Sequence, residues 1–232
     1  MTTLSPADVD VRPSRGRFAL GLVLLALALA IFANLDPLLA WKDDVEPLGQ
    51  GRLFAYYTAQ SNFLAVAALA VHGIQFVRGR RPGVAAEYLR GLATVDMAIT
   101  GIVAGLLLAE PGAPFTYSDF VLHQGGPLLM LIWFVVLPPR GALPWSAALV
   151  WLAHPFAWTV TTLTYAAESP DHWVPYFFLD PAEMDGWGGV ILVVAIIHLV
   201  VLGLGLLAVL ASRARWRAEM WRRLGLDEVP DN

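Results

Sequence analysis

Thr58 and His123 are a hydroxyl and an imidazole, each about one turn inside the same end of an apolar run, and a pair of that kind can carry out nucleophilic acyl chemistry. A threonine hydroxyl attacks only when a base takes its proton, and histidine is the side chain most often used for that. At 1.5 Å of rise per residue, a run starting near Leu53 puts Thr58 about 7 Å in, and one starting near Asp119 puts His123 about 6 Å in. Helical spacing sets Thr58, Ser61 and Asn62 on one face, beside Gln60. That face can act as hydrogen-bonding glue between helices or as the wall of a site, with Ser61, Asn62 or amides near Gly125 and Gly126 stabilising an oxyanion. Asp119 stands one turn before His123 and either orients the imidazole or caps its helix. Asp96, His154 and His198 come out near the midplane, about 18 to 20 Å from the outer ends, as a second layer about 10 Å deeper than the first. They read either as a neutral acid bonded to a histidine or as a proton relay.

The elements that must position these groups are membrane helices. The chain has 232 residues, 57% of them hydrophobic and 15% charged, with a mean hydropathy of +0.61, which is outside the range of an ordinary soluble domain. Six apolar runs, at roughly 17 to 34, 53 to 76, 87 to 109, 119 to 137, 144 to 165 and 186 to 211, each approach the ~20 residues that a bilayer requires. The fold class expected is therefore all-α, a polytopic six-helix transmembrane bundle over 17–211 with tails at 1–16 and 212–232. Ala28 and Ala30 carry the spacing of a signal-peptidase site, but the length of the first run favours a retained helix.

Charge sets the orientation. Arg12, Arg15, Arg17, Arg78, Arg80, Arg81, Arg90, Arg140, Arg213, Arg215, Arg217, Arg222 and Arg223 all fall on one side of a six-span arrangement, with Arg78, Arg80, Arg81 and Arg90 in the loop between the second and third runs. The positive-inside rule makes that side, and both termini, cytoplasmic, in a cell membrane. The other side carries Asp36, Asp43, Asp44, Glu46, Glu110, Glu168, Asp171, Asp180, Glu183 and Asp185, against Lys42 and Arg52. An outer loop rich in aromatic residues, with Trp173, Tyr176, Phe177 and Phe178, reads as an interfacial belt or as a lid over the Thr58 and His123 opening. Gly91, Gly101, Gly105, Gly186, Gly188 and Gly189 are expected to let helices approach closely. The net charge of −4 and the distribution of arginines give no support to nucleic-acid binding. The absence of cysteine removes thiolate, disulfide and Cys-zinc chemistry. No nucleotide or hydrolase fingerprint is present, and no cofactor or metal is called for.

In its second run the chain reads Tyr57-Thr58-Ala59-Gln60-Ser61-Asn62, in its fourth His123 with Pro127, and before its last Pro175-Tyr176-Phe177-Phe178-Leu179-Asp180 followed by Gly186. On these stretches it resembles the actinobacterial Pr-six-Pr membrane proteins. That group is distantly similar to the androgen-induced and androgen-dependent TFPI-regulating proteins of animals. The resemblance implies a six-helix membrane hydrolase acting on fatty acid esters, with Thr58 as nucleophile and His123 as its base. The Gln60, Ser61 and Asn62 cluster departs from the animal pattern, as does His154 before Pro155. The expected partners are the bilayer and a lipid or fatty acid ester. The competing expectation is a small transporter or a protein binding an amphiphile or haem, working through Asp96, His154 and His198.

Overall fold

The computed structural model describes residues 14–35, 55–109, 116–137, 139 and 141–213, and these are helical with no strand among them. The helices are α1 (Arg15–Asn34), α2 (Tyr57–Val77), α3 (Val84–Leu106), α4 (Tyr117–Val136), α5 (Ser146–Glu168) and α6 (Trp187–Ser212). Five of them, all but α5, are long and apolar enough to cross a membrane, which makes the chain a multi-pass membrane protein. α5 has 23 residues, length enough to span, but its composition is diluted by His154, Pro155 and four threonines. All of 36 to 54, together with Arg12, Glu110, Arg140 and the tail from 214 onward, lies outside the described residues.

Packing follows the small residues. α1 buries Arg17, Gly21, Leu24, Ala28 and Ile31, a stripe of alternating three- and four-residue steps, against α2. A methyl group at Gly21 would sit 2.8 Å from the Gly73 carbonyl, so the two backbones are nearly in contact there. Gly91 makes room for Trp151, whose indole N–H donates to the Tyr88 carbonyl at 3.0 Å. Gly105, Gly186 and Gly188 differ from expectation. Open space surrounds each of them, and Gly186 instead supplies the positive φ of 96° at the entry to α6. Outward-facing positions such as Leu29, Leu128, Ile191, Leu199 and Leu207 are exposed aliphatics, the pattern of a surface solvated by lipid.

Arg90 requires a correction. It does not belong to the loop before α3, because the helix begins at Val84 and buries Arg90 to 1% exposure. Its guanidinium lies 2.6 Å from Glu87 one turn earlier, donates to the Leu137 carbonyl and covers the faces of Trp133 and Phe134. His72 completes the cluster, with Nε2 3.8 Å from Glu87, so it is a core residue. The apolar run places the start of this helix three residues late, and Glu87 and Arg90 look like loop charges until they are seen as an i, i+3 pair.

Candidate functional site

Thr58 is the second residue of α2, in its first turn, so it sits nearer the helix end than the apolar run implied. Tyr56 precedes the helix without offering a side-chain cap. The free amide of Thr58 is taken by the Tyr176 hydroxyl at 3.3 Å, supplied by the loop between α5 and α6. Tyr176 OH also lies 3.5 Å from Thr58 Oγ1. Its ring is stacked on Phe178, with centroids 5.2 Å apart, and meets the edge of Tyr56.

His123 is positioned by a local irregularity. α4 opens on a capping box in which Thr116 and Asp119 bond each other's backbone amides at 3.0 and 3.1 Å. Val121 to Gly125 then form a π-helical turn, and the Gly126 amide reaches back to the Val121 carbonyl. Pro127 has no N–H to return to His123, so the wider turn absorbs a hydrogen bond that the α-helix would lack. Gly101 of α3 accommodates this turn, since a methyl there would come within 3.2 Å of the His123 carbonyl.

These two constructions bring His123 Nε2 to 3.3 Å from Thr58 Oγ1. The imidazole also hydrogen-bonds the backbone of Asp119. In the tautomer that carries its proton on Nδ1, Nε2 holds the lone pair and can accept the threonine proton. The Asp119 carboxylate serves the helix cap: its Oδ2 accepts the Thr116 amide and hydroxyl at 3.0 and 2.6 Å.

Ser61 and Asn62 are buried beside Thr58, but neither has a hydrogen to give to a reacting group. Ser61 Oγ donates to the Thr58 carbonyl at 3.1 Å, and Asn62 Nδ2 donates to the carbonyls of Thr58 at 2.9 Å and Leu122 at 3.2 Å. Thr100 Oγ1 donates to Ser61 at 2.8 Å and ties α3 to the same turn. The amide of Gly126 is likewise spent on Val121. These residues hold α2, α3 and α4 in register.

The layer expected deeper in the membrane joins the first one. Asp96, fully buried on α3, receives the Tyr57 hydroxyl at 2.6 Å and has Oδ2 at 2.8 Å from His154 Nδ1, close enough for an ion pair although the angle is bent. His154 Nε2 reaches Gln60 Oε1 at 3.1 Å. Tyr57 and Gln60 flank Thr58 in α2, so Asp96 and His154 brace the turn that carries the hydroxyl. Counting residues along helix axes separated the layers because it leaves out the reach of the Tyr57 and Gln60 side chains, which bridge them. His198 stays apart from both. Its Nδ1 donates to the Val194 carbonyl at 2.7 Å, and its Nε2 is buried without a partner.

Tyr57 is the participant that sequence reasoning missed. A tyrosine at a helix entrance looks like part of an aromatic belt, and only its position three residues before Gln60 hinted at a shared face. Of the loop residues, Tyr176 and Phe178 line the site, whereas Asp180 turns away to accept the Ala182 amide at 2.8 Å. A cavity of about 40 Å³ runs from Thr58 between α3, α5 and α6, walled by Ile99, Val103, Trp158, Val201 and His198 under Tyr176 and Phe178.

No protein-family model, curated protein or solved structure matches the chain. Geometry and chemistry then define what the site can do. It offers a hydroxyl with a base at 3.3 Å, a phenol at 3.5 Å and an apolar passage leading to them.

Proposed function

We propose that the protein is an intramembrane lipid-ester hydrolase with Thr58 as nucleophile and His123 as general base. The Thr58 Oγ1 to His123 Nε2 contact of 3.3 Å carries this reading. His123 accepts the hydroxyl proton, Oγ1 attacks the ester carbonyl, and the imidazolium returns the proton to the departing alkoxide. Water, deprotonated by the same imidazole, then releases the acyl group from Thr58. The apolar walls favour a long-chain fatty ester. A cavity of about 40 Å³ holds little more than a water or two, so an acyl chain enters by parting side chains that already face lipid. The resemblance to Pr-six-Pr proteins and their animal relatives agrees with these roles.

In this proposal α5 also spans, giving six crossings in a cell membrane with both termini cytoplasmic. Arg78, Arg80, Arg81 and Arg213 flank one end of the bundle, while Glu168, Asp171, Asp180, Glu183 and Asp185 lie at the other. Removing Arg90 from the count leaves that segregation intact. The site then opens toward the outer leaflet. Purified Thr58→Ala protein is expected to lose hydrolysis of long-chain esters, and hydrolysis at the parent rate would contradict the proposal.

One observation favours a second reading. Asp96 Oδ2 and His154 Nδ1 lie 2.8 Å apart inside the bundle, a placement suited to a proton relay in a small transporter. Haem or amphiphile binding through Asp96, His154 and His198 draws less support, because Asp96 and Gln60 occupy both ring nitrogens of His154. A Soret band in the purified protein, or proton-driven uptake lost in Asp96→Asn, would favour this second reading over hydrolysis.

A further inference from the structure

Acyl transfer needs a donor at the oxygen where negative charge develops, and that donor must lie on the side from which the substrate arrives. Ser61, Asn62 and the Gly126 amide have given their hydrogens to carbonyls. Thr58 and Tyr176 both line the cavity, whereas His123 does not. A carbonyl entering along that passage meets Oγ1 with the base behind it and the phenol in front. The oxyanion of the tetrahedral adduct is bonded to the same carbon as Oγ1, so a hydroxyl 3.5 Å from Oγ1 is within hydrogen-bond reach of it.

We propose that Tyr176 is the oxyanion donor of this site, its phenol hydrogen-bonding the ester oxygen as Thr58 attacks. The proposal rests on the hydrolase reading and adds a catalytic residue to it. In the step, the Oγ1–carbon bond forms, the carbonyl π pair moves onto oxygen, and the Oγ1 proton passes to His123 Nε2. Tyr176 keeps its own proton throughout. Collapse restores the carbonyl, breaks the bond to the alkoxide and returns the proton from His123 to the leaving oxygen.

Two features suit the phenol to this task. The Thr58 amide donates to its oxygen at 3.3 Å, which polarises the O–H through a cooperative chain that starts at the N-terminus of α2. Phe178 stacked at 5.2 Å and Trp158 at 6.0 Å hold the ring, so little reorganisation accompanies the reaction. Burial pushes the phenol above its ordinary value by more than the Thr58 contacts pull it down, and it remains protonated at neutral pH.

The competing role is structural: Tyr176 would simply cap α2 by accepting the Thr58 amide. Donor and cap respond oppositely to fluorination, which makes a phenol a better donor and a poorer acceptor. Tyr176→Phe is expected to lower kcat on a long-chain ester about 10²-fold or more with little change in KM. Incorporation of 3-fluorotyrosine and 3,5-difluorotyrosine at 176 is expected to raise kcat in that order. Tyr176→Phe within about twofold of the parent, or kcat falling or unchanged along the fluorotyrosine series, would overturn the donor role while Thr58-dependent hydrolysis stands. Equal hydrolysis by the parent and Thr58→Ala would overturn the hydrolase reading itself.

Discussion

Two buried polar clusters sit at opposite ends of the α2–α3 pair, and they are built on different terms. At one end Glu87, Arg90 and His72 close on one another at 2.6 and 3.8 Å beneath Trp133 and Phe134. At the other, Thr58 meets His123 and Tyr176 at 3.3 and 3.5 Å on the wall of a cavity. The first cluster consumes its charges in pairing. The second leaves a hydroxyl between an acceptor and a donor with room beside it. A polar group inside a membrane bundle is therefore not diagnostic of function by itself. What separates the two clusters is access, and the looser contacts that a reacting group needs before substrate tightens them.

Substitutions should break the two clusters in different currencies. The largest effect expected is on turnover: Thr58→Ala should reduce ester hydrolysis by about 10⁴-fold, or to background, with the melting temperature in detergent little changed. The closed cluster should show the reverse. Arg90→Met leaves Glu87 uncompensated in the core and is expected to cost about 3 to 5 kcal/mol, read as a large fall in thermal stability, while the protein that still folds hydrolyses normally. Gly101→Val tests the support beneath His123, since the added atoms press on the π-helical turn and its carbonyl. A shift approaching 1 Å would lower kcat by about 10²-fold, and a smaller one proportionately less. The smallest effect is assigned to Asp119→Ala, which removes a capping box and should cost about 1 kcal/mol of stability with kcat within about twofold. A large loss of kcat in Asp119→Ala would instead restore the carboxylate as an orienting group for His123.

Much of the Thr58 cluster was legible in the sequence. Thr58 and His123 can be matched because both lie close to the same end of an apolar run, and a hydroxyl and an imidazole are conspicuous among aliphatic neighbours. For Ser61 and Asn62 the sequence left two roles open, helix glue and the wall of a site, and the contacts are those of glue. Their helical spacing identifies a face but not what the face touches, and only tertiary contacts show their hydrogens going to the carbonyls of Thr58 and Leu122. Asp96 and His154 were visible as ionisable residues within apolar runs. Their link to the Thr58 turn was not legible, because helix rise measures position along one helix and says nothing of how far the Tyr57 and Gln60 side chains reach toward its neighbours. The closed cluster escaped for a different reason: Glu87 and Arg90 resemble loop charges, and only burial of the first turn of α3 turns them into core.

The central claim is that Thr58 is a nucleophile activated by His123. The most direct test is covalent: treat native membranes with a long-chain fluorophosphonate and map the adduct by peptide mass. The account predicts a single adduct on Thr58, absent in Thr58→Ala and strongly slowed in His123→Ala. An adduct formed equally well in Thr58→Ala, or none on the parent protein under conditions where it hydrolyses ester, would contradict it.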